Sequence, residues 1–160
     1  MIPLGKLKRL LFIALLVVFS CEDEQDTTGT VLPCSLNDVY INEVHGDGNP
    51  DWVEIYNAGV ECSLIGFTLD DQETPDDFIF GDMILVAYGY WLGREDDENS
   101  FNFGIEKNGE TLWLCYGTSN CQAFEVGNTE NLTAWGYPNN DRSQLAGNLT
   151  QSTPGSANTD

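Results

Sequence analysis

The sequence predicts an all-β domain built as one sandwich of short antiparallel strands, and three observations carry that prediction. The stretch from Ile41 to Asp71 holds three β-type runs, Ile41 to Val44, Trp52 to Tyr56 and Ser63 to Leu69, set between segments of Gly, Asn, Asp and Pro. In the second run Val53 and Ile55 alternate with Trp52, Glu54 and Tyr56, so one face is aliphatic and the other carries a carboxylate between aromatic rings, as in a half-buried strand. Downstream, no apolar repeat of helical period persists for even three turns.

The remaining elements follow the same logic. Phe78 to Phe80 is β-like, and Met83 to Tyr90 is mostly apolar, which predicts a central strand extended by Trp91 and Leu92. The loop Gly93 to Ser100 carries five charges and is excluded from the core. Phe101, Phe103 and Ile105 alternate again. Asn108 and Gly109 supply a turn before a strand from Thr111 to Tyr116, whose return partner is Gln122 to Val126. Ala134 to Pro138 places Trp135 and Tyr137 on one side of an extended piece. Eight or nine short strands fill one sandwich and leave no length for a second domain.

Several of these segments, in this order, resemble a lamin tail domain: INEV at Ile41 to Val44, DWVEIYN at Asp51 to Asn57, LIGFTLDD at Leu64 to Asp71, and Phe78, Gly81 and Ile84 after them. FGIEKNGETLWL (Phe103 to Leu114), AWGYP (Ala134 to Pro138) and TPGSAN (Thr153 to Asn158) extend the likeness over roughly Val39 to Asn158. The resemblance implies an immunoglobulin-like β-sandwich, a fold found in nuclear lamins and in many bacterial secreted proteins. It implies a fold more firmly than an activity.

Ahead of the domain, residues 1–20 read as an export signal. Lys6, Lys8 and Arg9 give a positive start, and the apolar run from Leu10 to Phe19 rises only about 15 Å as a helix, too short for a bilayer core of about 30 Å. Val18 to Cys21 resembles the lipobox of bacterial lipoproteins, which makes Cys21 the expected lipidation site, a palmitate-bearing first residue of the mature chain. Residues 21–33 then form the lipidated cysteine and its tether. Four acidic residues lie in the first five positions after Cys21, a composition that cannot collapse and that also resembles the export signals of surface lipoproteins in Bacteroidetes-type bacteria. The expected location is the bacterial cell envelope, as an outer-membrane lipoprotein, with two readings of the acidic run open, a surface-export signal and a generic charged linker. The domain itself is expected over residues 34–158.

With Cys21 set aside, four cysteines remain in an exported domain and favour two disulfides. Cys115 and Cys121 flank YGTSN, a turn composition that makes them face each other across a hairpin, and Cys34 is left to pair with Cys62. In the chain-entropy account the short loop contributes about 2.4 kcal/mol and the long one about 3.6 kcal/mol. Zinc is disfavoured, because no C-x2-C spacing occurs and His45 is the sole histidine.

Charge removes further classes of function. Beyond the signal segment 26 carboxylates face only Arg94, Lys107 and Arg142, a net charge near −23 that repels nucleic acid, although lamin tails have been associated with DNA. Trp52, Trp91, Trp113 and Trp135 raise a sugar-stacking platform, against which their scattered spacing favours core packing. His45 lies near Glu43, Asp47, Asp51 and Glu54, but no nucleophile or metal-hydrolase motif accompanies it, so no catalytic residue is assigned. Asp47, Asn49 and Asp51 form a D-x-N-x-D run, like the first half of an EF-hand loop without its glycine or its final glutamate. Asp70, Asp71, Glu73, Asp76 and Asp77 make a second acidic loop, and Glu95 to Glu98 a third. No cofactor is required by the sequence, and Ca2+ is the cation these loops invite. The reading is a non-catalytic extracellular interaction or scaffold module, anchored to the envelope through Cys21 and meeting an envelope protein or glycan. The alternative is an accessory adhesion domain that binds carbohydrate or Ca2+ through its acidic loops.

Overall fold

The computed structural model describes residues 30–73, 77–130 and 133–159. Residues 1–29, and with them Cys21 and the signal segment, lie outside the described residues, as does Asp76. Within them the chain is all-β and its sheets are antiparallel, in eleven strands: β1 (Val39–His45), β2 (Trp52–Asn57), β3 (Cys62–Ser63), β4 (Phe67–Asp70), β5 (Phe78–Ile79), β6 (Ile84–Leu85), β7 (Tyr90–Arg94), β8 (Glu110–Tyr116), β9 (Asn120–Val126), β10 (Trp135–Gly136) and β11 (Gly147–Asn148).

Three sheets are formed where the sequence suggested two. A five-stranded sheet has the order β11-β10-β1-β2-β7, a four-stranded sheet β5-β4-β8-β9, and β3 pairs with β6 as a separate ribbon. The ribbon exists because the third run, expected as one strand from Ser63 to Leu69, breaks in the middle. The Phe67 N–H closes a turn on the Leu64 carbonyl, and Gly66 takes φ +82°, a value open to glycine without steric cost. The apolar run from Met83 to Tyr90 is likewise not a central strand. The Gly89 N–H turns back onto the Val86 carbonyl and Tyr88 adopts φ 57°, which separates β6 from β7 and leaves Ile84, Val86 and Tyr88 exposed.

The aliphatic faces of the two larger sheets meet in the core. Val39, Ile41, Val44, Val53 and Ile55 from one pack with Phe67, Leu69, Leu112 and Leu114 from the other. Phe101, Phe103 and Ile105 join this core from an irregular segment, so their alternation predicts burial correctly without a strand. Disulfides join Cys34 to Cys62 and Cys115 to Cys121. Leu32 and Pro33, placed in the tether by composition, belong to the folded unit: Leu32 accepts from the Ser63 N–H and Pro33 bridges Ser63.

The opposite face of β1 and β2 departs most from a half-exposed strand. Glu43 and Glu54 are register partners and both are fully buried, because residues 153–158 lie across them. The Thr153 N–H and hydroxyl each donate to one oxygen of Glu43 at 2.9 Å; the Gly155 N–H donates to Glu54 Oε2 at 2.6 Å, and Asn42 Nδ2 to Glu54 Oε1 at 2.8 Å. Asn158 completes the strap, its N–H donating to Asn140 and its amide to the Tyr137 carbonyl.

Candidate metal centre

Register sorts the loops into two poles. β1 pairs Val39 with Asn57 and His45 with Trp52, while β2 pairs Trp52 with Arg94, so the loops after His45 and after Arg94 leave the large sheet at one end. In the other sheet Asp70 faces Trp113 and Glu110 faces Val126, which sends the segment after Asp70 and the Asn108-Gly109 turn to the same end. Cross-links confirm the convergence. Asp51 Oδ2 accepts from the Ile105 N–H at 2.9 Å, and Lys107 lies 3.8 Å from Asp47 and 4.0 Å from Glu130. Burial, and then the charges of Asp71, Glu106 and Asp51, push the Glu110 carboxyl above its ordinary range, although the Glu106 N–H donated to it pulls the other way.

Within this acidic pole Asp70, Asp71 and Asp77 each present an oxygen, and the three atoms all lie within 4.8 Å of one another. Local chain chemistry explains the arrangement. Asp70 ends β4 on the side of the sheet away from the core, paired with Trp113, and the following loop wraps around its carboxylate. The Gln72 N–H donates to Oδ1 at 2.7 Å, an Asx-turn, and the Asp77 N–H to Oδ2 at 3.0 Å. Asp70 is thereby immobilised, Asp71 is half-buried and Asp77 exposed. Asp71 Oδ1 is buried with no hydrogen-bond partner among the described residues, an arrangement that costs free energy unless something supplies a donor or positive charge. Ca2+ accepts six to eight oxygens at about 2.3–2.6 Å in flexible geometry, so carboxylate oxygens brought this close together suit a hard cation. The cluster is therefore able to hold a hard divalent cation.

The D-x-N-x-D run is placed differently. Both oxygens of buried Asp51 are occupied by backbone donors, the Gly48 N–H at 3.2 Å and the Ile105 N–H; Asp47 lies beside Lys107, and Asn49 is exposed ahead of a cis bond to Pro50. Asp51 thus serves as the brace of its loop. His45 ends β1, is buried, and stacks on Trp52 with ring centres 5.7 Å apart. Trp52 and Trp91 are buried and Trp113 and Trp135 half-buried, so the tryptophans build no exposed platform. The Asp70 loop was legible in the sequence as an acidic segment. Its priority over the Asp47 loop was not: Asp70 and Asp51 both accept two backbone N–H groups, and what differs is that Asp70, Asp71 and Asp77 converge while Asp47 lies beside Lys107, 60 positions along the chain.

Comparison with protein-family models, with curated proteins and with solved structures returns no match to this chain.

Proposed function

We propose that this protein is a non-catalytic, cation-dependent binding domain of the bacterial envelope, with Ca2+ held by Asp70, Asp71 and Asp77. The observation that carries the reading is the convergence of one carboxylate oxygen from each of Asp70, Asp71 and Asp77, together with an Asp71 Oδ1 that has no hydrogen-bond partner among the described residues. Extracellular Ca2+ sites are useful even at a Kd of 10⁻⁴ to 10⁻³ M, roughly what a loop supplying three carboxylates can reach. A bound cation would order the acidic pole and present it to an envelope partner. Absence of a sugar-stacking surface among the tryptophans favours the cation over the carbohydrate limb of the adhesion reading. The domain is further proposed to be a lamin-tail-like, immunoglobulin-type sandwich, in which the β3–β6 ribbon is a local elaboration. Its lipid anchor at Cys21 would place it at the outer membrane.

A calcium titration of thermal stability after chelation tests the site. At about 10 mM Ca2+ the melting temperature should rise by about 5 °C and saturate, with a markedly smaller response to Mg2+. Asp71→Asn should remove most of the calcium response, whereas Asp47→Asn with Asn49→Ala should keep it. Equal, unsaturable shifts with both ions, unchanged in Asp71→Asn, would mean simple screening of a highly charged surface.

A further inference from the structure

The pole opposite the carboxylates is apolar, and the described chain begins there. Leu32, Val60 and Tyr88 are 73 %, 79 % and 69 % exposed, and Ile65, Ile84 and Val86 are exposed beside them. These six side chains belong to one end of the molecule. Asn57 Nδ2 donates to the carbonyls of Val60, Leu85 and Val86, drawing the turn after β2 against β6, and Ser63 in β3 is bonded to Leu32 and paired with Ile84. Two shallow clefts of about 370 and 410 Å³ open here, both lined by Thr30, Val31 and Pro33, one walled by Val60 and the other by Ile65 and Ile84. Charge is present at this pole too: Asp38, Glu61 and Asp82 line the clefts, Ser63 Oγ donates to Asp82 at 2.9 Å, and Asp141 lies next to Arg142, which donates to the Leu36 and Asn37 carbonyls. The far pole gathers Asp47, Asp51, Asp70, Asp71, Glu106 and Glu110.

We propose that this apolar pole is a membrane-docking surface that rests on phospholipid, with the acidic pole directed away from the bilayer. The inference builds on the lipid-anchor reading of Cys21 given above and adds an orientation to it. Eight residues lie between Cys21 and Thr30, nine Cα steps with a contour of at most about 32 Å, so an acylated Cys21 keeps the pole within reach of the bilayer. Once the anchor has confined the domain, a clustered apolar surface gains by leaving water at the interface, where it acts as the second, weak attachment that single-point anchors ordinarily lack. Net charge decides the lipid: a chain near −23 is repelled by anionic headgroups, so the surface suits zwitterionic phosphatidylethanolamine and phosphatidylcholine. The same geometry holds the cation cluster at the outward end, where a partner approaching from outside meets it first.

The test uses full-length protein matured in a lipoprotein-processing host and reconstituted on phosphatidylethanolamine/phosphatidylcholine vesicles. Single cysteines, Val60→Cys or Val86→Cys at the apolar pole and Asp97→Cys at the acidic pole, carry an environment-sensitive fluorophore, with the native disulfides left oxidised. Mass spectrometry reads acylation of Cys21 in the same samples. The proposal expects acylated protein whose labels at 60 and 86 shift to the blue and are quenched several-fold more by brominated lipid than the label at 97. Acylated, vesicle-bound protein with all three labels in water overturns the docking surface and leaves the anchor standing. Unacylated Cys21 removes the anchor, and the docking surface with it. Blue-shifted labels at 60 and 86 without vesicles, together with a dimer in sedimentation, overturn the proposal in favour of contact between two copies.

Discussion

Glu43 with Glu54, and Asp70 with Asp71 and Asp77, are both clusters of carboxylates set beside the ends or faces of β-strands, and the protein treats them in opposite ways. The glutamates are fully buried and roofed by the strap, whose backbone and side-chain donors are spent on their oxygens. Of the aspartates, Asp70 is buried with a backbone N–H on each oxygen, Asp71 is half-buried and Asp77 exposed, and Asp71 Oδ1 has no donor among the described residues. Number of carboxylates therefore says little about whether a cluster serves a ligand. What matters is whether the chain itself delivers enough donors, and at β1 and β2 it delivers them from more than a hundred residues away.

The largest effect should come from removing a glutamate. Glu43→Ala strands the Thr153 N–H, takes one of two acceptors from the Thr153 hydroxyl, opens a cavity under the strap and loosens it, and urea denaturation of the oxidised domain should show a loss of roughly 3 kcal/mol. Asp77→Ala, at the exposed edge of the other cluster, should cost about 1 kcal/mol or less by the same measurement. Comparable losses from the two would erase the distinction between a structural and a ligand-directed cluster.

A second effect is pH-dependent and sharpens the comparison. Burial first, opposed by the Asn42, Gly155 and Ser156 donors and assisted by the charge of Glu43, raises the Glu54 carboxyl from an ordinary value of 4.5 to about 7. A raised carboxyl favours the folded state fully below the unfolded value and loses that contribution as pH climbs through the folded one. Stability should thus fall between about pH 5 and pH 8, by up to about 3 kcal/mol. Glu54→Gln should flatten this dependence, since its amide carries no charge and the Asn42 amide, whose Oδ1 has no partner, can turn to accept from it. A wild-type profile that is flat from pH 5 to 8 would contradict the assignment.

The smallest effect concerns independence. Because the glutamate pair and the aspartate cluster lie on different sheets, Glu54→Gln should leave the calcium-induced rise in melting temperature within about 1 °C of wild type, while Asp71→Asn should leave the pH profile unaltered. Cross-talk in either direction would show that cation binding is transmitted from one sheet to the other.

How much of this was legible in the sequence differs by element. The runs at Ile41 to Val44 and Trp52 to Tyr56 lie within β1 and β2, and the Asn-Gly turn precedes β8, because alternation and turn chemistry are short-range properties. The run Ser63 to Leu69 did not read as two strands, since a left-handed Gly66 is one of several conformations that glycine permits and the choice is made by what β3 and β4 pair with. Met83 to Tyr90 looked central because it is apolar, yet its break at Tyr88 turns part of it outward into the surface proposed to meet lipid.

The sequence by itself determined that the domain is all-β, where its strongest strands lie, how acidic it is and which cysteines stand across a hairpin, because each of these follows from residues close together in the chain or from simple composition. The tertiary structure alone decided that a carboxylate face would be buried, that Asp51 would brace a loop while Asp71 kept an oxygen without a partner, and that apolar and acidic loops would collect at opposite poles. Those outcomes depend on which distant N–H groups arrive at each carboxylate and on the register that carries each loop to one end of the sheets. Neither is written in the local pattern, since a donor from residue 153 or 105 becomes a neighbour of Glu43 or Asp51 only after the chain has closed upon itself.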